Sequence, residues 1–401
     1  MKRAFVTDVH YRMGLAAVRS LGKRSIPVTS VEFENIPQKS ILGFYSRFSS
    51  ESRLVPNAAF HRSEFINSLI EASKKELEKT GQKPVLIPVG LDTLMAVSSS
   101  KEQLEPWIDF IVPPLESIET ANDTNSLLKI ASDIGIPCPE TTTLGQDETI
   151  KELSDRLKYP VVIKYRKGEV LKLTAGERYR IVKDPETFIK EFSRMHEIQS
   201  FPIVQRYISG AGYGVSAVFD NNGEPIEIFC HKRLREYPVT GGPSCFCESV
   251  WNDRLVDYAI RLLKNLNWRG LAMVEFKGDP EGDVSLMEIN PRFWGSLPLS
   301  IEAGCDIPYA LYRAANGETV PYNSTLKYSW YPERYKKGKR MRYLFQDMMS
   351  MPGYLKRSRN KTAFVFRFIG QLFNPAISDG VLKISDCKPS FKYIVQAFKK
   401  I

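Results

Sequence analysis

The chain has 401 residues, enough for two or three packed domains, and its 43% hydrophobic and 25% charged residues are those of an ordinary folded protein, neither disordered nor fibrous. No apolar run is long enough to span a bilayer, and the opening residues, MKRAFVTDVHYRMG, turn charged too soon for a secretory signal. The net charge of +10 is unevenly placed: residues 330–401 hold 16 Lys and Arg against 4 Asp and Glu, or +12, which leaves −2 for the rest. Six cysteines, at 138, 230, 245, 247, 305 and 387, are too few and too scattered for a disulfide framework, so a reducing cytoplasm is the expected setting. Cys245 and Cys247 have no second pair at zinc spacing, and with four histidines in the chain a structural zinc site is not expected.

Residues 3–9, RAFVTDV, predict a first strand. Met13, Ala16, Ala17 and Leu21 recur at helical spacing before Gly22, and residues 26–33 predict a second strand. A β–α–β start points to the α/β class with a parallel sheet. The Gly-x-Gly-x-x-Gly fingerprint of dinucleotide binders is lacking, with Gly14 alone in the first turn. A helix over 63–79, a strand over 84–89 leading into Gly90-Leu91-Asp92, and a short strand over 108–112 follow, and Pro113-Pro114 marks a boundary. Residues 121–136, ANDTNSLLKIASDIGI, predict a helix capped near Asn122 or Asp123 and stopped at Gly135 ahead of two prolines.

Residues 159–165, YPVVIKY, predict an apolar strand with one charge inside it, Lys164. A loop with Lys167, Gly168, Lys172 and Gly176 follows, and then a strand over 201–208, FPIVQRYI. Residues 215–219 and 227–229 form a hairpin across Asn221-Asn222-Gly223. Its second strand runs into Cys230-His231-Lys232-Arg233-Leu234-Arg235, where alternation puts Lys232 on one face and Arg233 and Arg235 on the other. These cations are either a solvated edge or partners for a leaving phosphate. The glycines of residues 240–244, TGGPS, let backbone approach a ligand closely, and residues 254–266 predict an amphipathic helix.

Residues 271–292, LAMVEFKGDPEGDVSLMEINPR, read as two apolar strands around a Gly, Pro and charge turn. Glu288 and Asn290, two apart, project together, and the hairpin folds Glu275 back beside them. Two carboxylates and an amide oxygen are hard ligands of the kind Mg²⁺ takes when it also holds phosphates. Placing such charges inside apolar strands is costly unless they are paired or bind metal. Arg292 adds a planar fork suited to phosphate or carboxylate oxygens.

The run EF…MEINPR resembles the metal-binding end of the ATP-grasp ligases, and YPVVIKY and the helix before Gly-Ile-Pro-x-Pro are similar to that superfamily's pattern over most of residues 1–320. The resemblance implies two α+β lobes that sandwich ATP: an N-terminal α/β domain at 1–113, a lid lobe at 114–206, a metal-bearing lobe at 207–330 and a basic C-terminal extension at 331–401. It implies Mg²⁺, or Mn²⁺, on Glu275, Glu288 and Asn290, and Lys164 on the ATP phosphates. Gln205 and the Tyr207–Ile208 backbone would meet adenine. The family's Lys after the helix-capping Asp is Thr124 here, so either Lys129 reaches the phosphates from further along or it is a solvated helix charge. Residues 167–176 would cover the triphosphate, and Gly295 and Ser296 would line the acyl end.

The implied activity joins a small-molecule carboxylate to an amine through an acyl phosphate, with Arg292 and Arg233 or Arg235 stabilising the transferring phosphoryl group and Lys232 beside the phosphates. A kinase on the same fold is one alternative. The other is a scaffold whose basic tail holds nucleic acid, another polyanion or an anionic surface.

Overall fold

In the N-terminal sheet every residue of the first two strands is buried, because helices cover both faces; the first strand is wholly apolar, and the second also buries Thr29, Ser30 and Glu32. The structure is a computed structural model and describes residues 1–398 except 167, 169–170, 172, 174–176 and 320–332. Strands β1 (Ala4–Val6), β2 (Val28–Phe33), β3 (Glu51–Val55) and β4 (Val85–Ile87) form a parallel sheet in the order β3-β2-β1-β4. Helices α1 (Arg12–Lys23), α2 (Arg62–Thr80), α3 (Leu91–Ser99) and α4 (Lys101–Leu104) pack around it. The chain order reverses between β1 and β4, where Gly90 N–H donates to Asp8 Oδ2 at 3.0 Å. The strand expected over 108–112 is a single bridge between Val85 and Asp109.

The helix expected over 121–136 is two helices, α5 (Leu115–Asn122) and α6 (Thr124–Asp133). The break falls at Asp123, whose extended backbone and carboxylate, accepting from Ser126 N–H at 3.0 Å, cap α6. Strands β5 (Thr141–Thr142), β6 (Val161–Lys164), β7 (Tyr179–Val182) and β8 (Ile203–Arg206) then form an antiparallel sheet in the order β5-β8-β6-β7. Helices α7 (Ile150–Asp155) and α8 (Pro185–Ile198) cover one face of it and bury Leu153, Phe188 and Phe192 against Val161 and Ile163.

The third sheet has seven strands: β9 (Ala211–Phe219), β10 (Pro225–Glu236), β11 (Ser244–Val250), β12 (Gly270–Gly278), β13 (Val284–Asn290), β14 (Arg340–Arg342) and β15 (Ile377–Asp379). Their order is β13-β12-β9-β10-β11-β14-β15. Helix α9 (Asp253–Asn265) covers one face with Trp268 beneath it. Helices α10 (Leu297–Ala303) and α11 (Ile307–Ala315) cover the other and share a core with Leu15 and Leu21 of α1. Residues after 333 are basic, as the sequence indicates, and they are also built into this sheet: β14 pairs with β11, and β15 with β14. Helices α12 (Leu344–Arg357), α13 (Lys361–Leu372) and α14 (Cys387–Phe398) pack beside them.

Candidate active site

A cleft of about 430 Å³ opens between the four-stranded sheet and the β13 end of the seven-stranded sheet, within the size range of small-molecule sites. On the far wall, Glu275 of β12 stands opposite Glu288 of β13 in the hairpin register. Asn290 donates from Nδ2 to Glu275 Oε1 at 3.1 Å and to Glu288 Oε1 at 3.3 Å. Burial raises the Glu275 carboxyl pKa, Arg233 opposes the rise, and the neighbouring charge of Glu288 adds to it. Glu275, Glu288 and Asn290 meet at one place on the hairpin, with the Asn290 amide nitrogen turned to the two carboxylates; with its oxygen turned inward instead, the three side chains are hard donors that fit a divalent cation also carrying substrate oxygens. Among the described residues no group of three or more His, Cys, Asp and Glu could hold a metal ion; the set here is two carboxylates and one amide.

Glu275 is ion-paired with Arg233 of β10, which also pairs with Glu236 at 3.6 Å. Strand β9 lies between β10 and β12, so Arg233 must cross it. It can, because β9 carries Gly212 and Gly214 there: a Cβ on Gly212 would sit 2.9 Å from Arg233 Cδ, and one on Gly214 would sit 2.3 Å from His231 Cε1. The sequence shows the SGAGYG run but gives no reason for it; the reason is this cross-strand reach. His231, buried beneath, shares a 2.9 Å hydrogen bond between Nε2 and Ser296 Oγ. Burial, then the Arg233 charge, push its pKa down to about 3, so the ring is neutral at pH 7.

The near wall is Lys164, at the end of β6, with Gln205 and the chain leaving β8. Burial lowers the Lys164 pKa, and the carboxylates of Glu288 and Glu275 across the cleft oppose that. Gln205 is buried, with Nε2 donating to Thr141 Oγ1 at 3.2 Å. Tyr207 N–H donates to Pro160 O at 3.3 Å, so that donor is already used within the lobe, and Ile208 follows it along the cleft lining. Tyr179 on β7 closes one end, its hydroxyl donating to Thr240 O at 3.0 Å. A Cβ on Gly241 would fall 2.2 Å from that hydroxyl, so the TGG turn is held against the opposite lobe.

The cleft therefore gathers Lys164, Gln205, Tyr207, Ile208, Arg233, Glu275, Glu288, Asn290 and Arg292, with Gly295 and Ser296 at its end. Three expected site residues are elsewhere. Lys129 lines a separate shallow pocket with Ser132 and Glu140; α6 turns about 100° per residue, so five residues past Thr124 it faces well away from the cleft. Lys232 lies over the Tyr213 ring at 5.7 Å, on the α9 face of the sheet. Arg235 is buried in an ion pair with Asp347 at 2.6 Å. A bulge causes this: Arg233 pairs with Cys247 but Arg235 with Phe246, so the alternation slips and the two arginines part company. Of the 167–176 loop, Lys167, Lys172 and Gly176 lie outside the described residues.

Sequence reasoning missed Glu236, His231 and Trp294. Trp294 is buried and lines the cleft beside Arg292, and among the described residues its indole N–H meets no acceptor. Its place two residues after the Asn-Pro-Arg run was the available signal.

Two lobes enclosing a cleft, with a lysine on one wall and paired carboxylates on the other, define the ATP-grasp fold, and the chain has that fold. A family model described as "ATP-grasp in the biosynthetic pathway with Ter operon" matches residues 201–333. The rat mitochondrial methylcrotonoyl-CoA carboxylase subunit alpha is 26% identical over 228 residues, 53% of this chain and 31% of that one. Pyruvate carboxylase of Aspergillus niger is 26% identical over 225 residues, 53% of this chain and 18% of that one. The chain thus spans less than a third of these relatives' length. Among solved structures, a biotin carboxylase–β,γ-ATP complex from Campylobacter jejuni superposes with a TM-score of 0.63 at 17% identity, covering 85% of this chain and 74% of that one. The biotin carboxylase domain of Hydrogenobacter thermophilus 2-oxoglutarate carboxylase, with MgADP and bicarbonate, superposes with a TM-score of 0.61 at 15% identity, covering 85% and 73%.

Proposed function

We propose that the chain is an ATP-dependent ligase that activates a carboxylate as an acyl phosphate and joins it to an amine. The observation that carries this is the convergence of Glu275, Glu288 and Asn290 on one wall of a cleft whose other wall presents Lys164. ATP would lie between the lobes, adenine against Gln205 and the Tyr207–Ile208 backbone, and triphosphate towards Lys164. Glu275, Glu288 and Asn290 would hold Mg²⁺, or Mn²⁺, which supplies positive charge to phosphate oxygens. In this reading 1–113 is the N-terminal domain, 114–206 the lid lobe, 207–330 the metal-bearing lobe and 331–401 the C-terminal extension.

The acid's carboxylate oxygen attacks the γ-phosphorus, the bond to the bridging oxygen breaks, and ADP leaves. Arg292, at the end of the carboxylate wall, and Arg233 stabilise the charge on the transferring group. An amine then attacks the acyl carbon, inorganic phosphate leaves and the amine gives up a proton. No side chain need become covalently linked. The likeness to biotin carboxylases, one solved with bicarbonate, supports carboxylate activation and favours a second reading, with bicarbonate as the acid.

The test is ATP turnover with Mg²⁺ against a panel of amino acids and bicarbonate, followed by release of phosphate and by product mass. Amide, ADP and phosphate support the ligase; phosphate release that needs bicarbonate supports the carboxylase reading. A phosphorylated alcohol with ADP would make the protein a kinase. No stabilisation of the protein by Mg·ATP would remove nucleotide from the cleft altogether.

A further inference from the structure

Helix α13, KTAFVFRFIGQL, has two unlike faces. Its inner face packs on the edge of the large sheet: Phe368 is 6% exposed, with the Arg235 guanidinium 5.0 Å from its ring centroid, and the Gln371 and Leu372 carbonyls accept from Arg342. Its outer face carries Phe366, Ile369 and the following Phe373, spaced three and four apart and therefore in one stripe. They are 72%, 45% and 82% exposed. Single apolar residues on a surface are ordinary, but an aligned stripe of two phenylalanines and an isoleucine marks an interaction site.

The charges around the stripe are sorted. Arg359, Lys361 and Arg367 are exposed beside it. The four acids of residues 333–398 are Glu333, Asp347, Asp379 and Asp386, and three of them are spent on the interior. Asp347 is buried with Arg235 and Asp386 with Arg19, while Asp379 accepts from the backbone N–H groups of Leu344, Val381 and Leu382. Arg340 and Lys383 of this segment pair with Glu248 and Glu302 of other elements, whereas among the described residues Arg359, Lys361 and Arg367 have no carboxylate partner.

We propose that the outer face of α13, with the basic turn before it, docks on an anionic lipid surface. The stripe would enter the headgroup–acyl boundary and the cations would be drawn to acidic headgroups. A second copy is a poor occupant, because it would bring two strongly positive faces together. Nucleic acid would use the cations but gains little from Ile369. No helix among the described residues is long and apolar enough to cross a membrane, so the association is peripheral. This inference stands apart from the ligase reading.

The experiment is co-sedimentation of the full chain with vesicles of phosphatidylcholine, alone or with a third phosphatidylglycerol. Two variants are carried alongside: Phe366→Ser with Phe373→Ser, and Arg359→Ser with Lys361→Ser and Arg367→Ser. Unchanged thermal melting shows that the variants fold, as expected for exposed positions. The expected result is retention on anionic vesicles, weakened at least ~10-fold by either variant or by neutral vesicles. Four results would overturn it: no retention, equal retention on neutral lipid, a phenylalanine variant that binds as well as the parent, or a lipid-free dimer dispersed by that variant. Short duplex DNA that binds the phenylalanine variant and the parent alike, and strips the parent from vesicles, would make the face a nucleic-acid surface instead.

Discussion

Glu288 is exposed, on a strand whose other residues are largely buried, and it faces Glu275 across the hairpin. Like charges placed so close repel when no cation is present. Glu288→Gln should therefore fold with stability unchanged to within about half a kcal/mol, or gain slightly, while Mg-dependent phosphate release falls by a factor on the order of 100 or more. A Mg²⁺ titration of phosphate release settles it; matching curves for parent and variant would take Glu288 out of the site. His231 supports a pH prediction of known sign. Its folded pKa, about 3, lies below the ordinary value of 6.5, so the unfolded chain binds the extra proton between those limits. The associated stability is present above pH 6.5 and is lost as pH falls towards 3, by about 2 kcal/mol between pH 7 and 5. His231→Gln should flatten this part of the stability–pH profile in denaturant melts; an unaltered slope would mean the imidazole is not held neutral.

The β12–β13 hairpin and β10 show what local pattern can and cannot carry. Period-two alternation and a Gly-Asp-Pro turn suffice to bring Glu275, Glu288 and Asn290 to one face, and the structure puts them there. The same rule applied to β10 pairs Arg233 with Arg235, and it fails because the bulge is set by how β10 meets β11, a partner that sequence spacing does not reveal. Trp294 reads as one more core aromatic until the cleft around it is seen. Strands β14 and β15, three residues each, are too short for any periodicity to register. The two arginines should therefore separate by experiment. Arg233→Met should leave a folded protein with phosphate release reduced by a factor on the order of 100. Arg235→Met leaves Asp347 buried without its partner and should cost about 3–5 kcal/mol in chemical denaturation, with turnover of the folded fraction retained. The reverse pattern would place Arg235, not Arg233, at the cleft.

At the scale of the molecule, the basic C-terminal segment is a structural part of the large lobe. Asp386 of this segment holds Arg19 of α1 at 2.8 Å, and Asp347 holds Arg235 of β10. Tyr343, fully buried, donates from its hydroxyl to Gly295 O, the backbone between Trp294 and Ser296 at the cleft's end. Met341, Val381 and Tyr393 share the core that joins the N-terminal domain to the sheet, each adding about 1.5–3 kcal/mol by burial. Removing residues 334–401 would strip β11 of its neighbour, bare that edge for pairing with other chains, and strand two buried guanidinium groups at several kcal/mol each. Against a total stability of about 5–15 kcal/mol for a typical domain, such losses are not survivable. The truncated chain should be insoluble or lack a cooperative melt, whereas Tyr343→Phe, which loses one hydrogen bond to Gly295 O, should fold and weaken Mg·ATP turnover several-fold through the loosened cleft end. A soluble truncation that melts cooperatively and still gains thermal stability from Mg·ATP would show that the segment only decorates the fold.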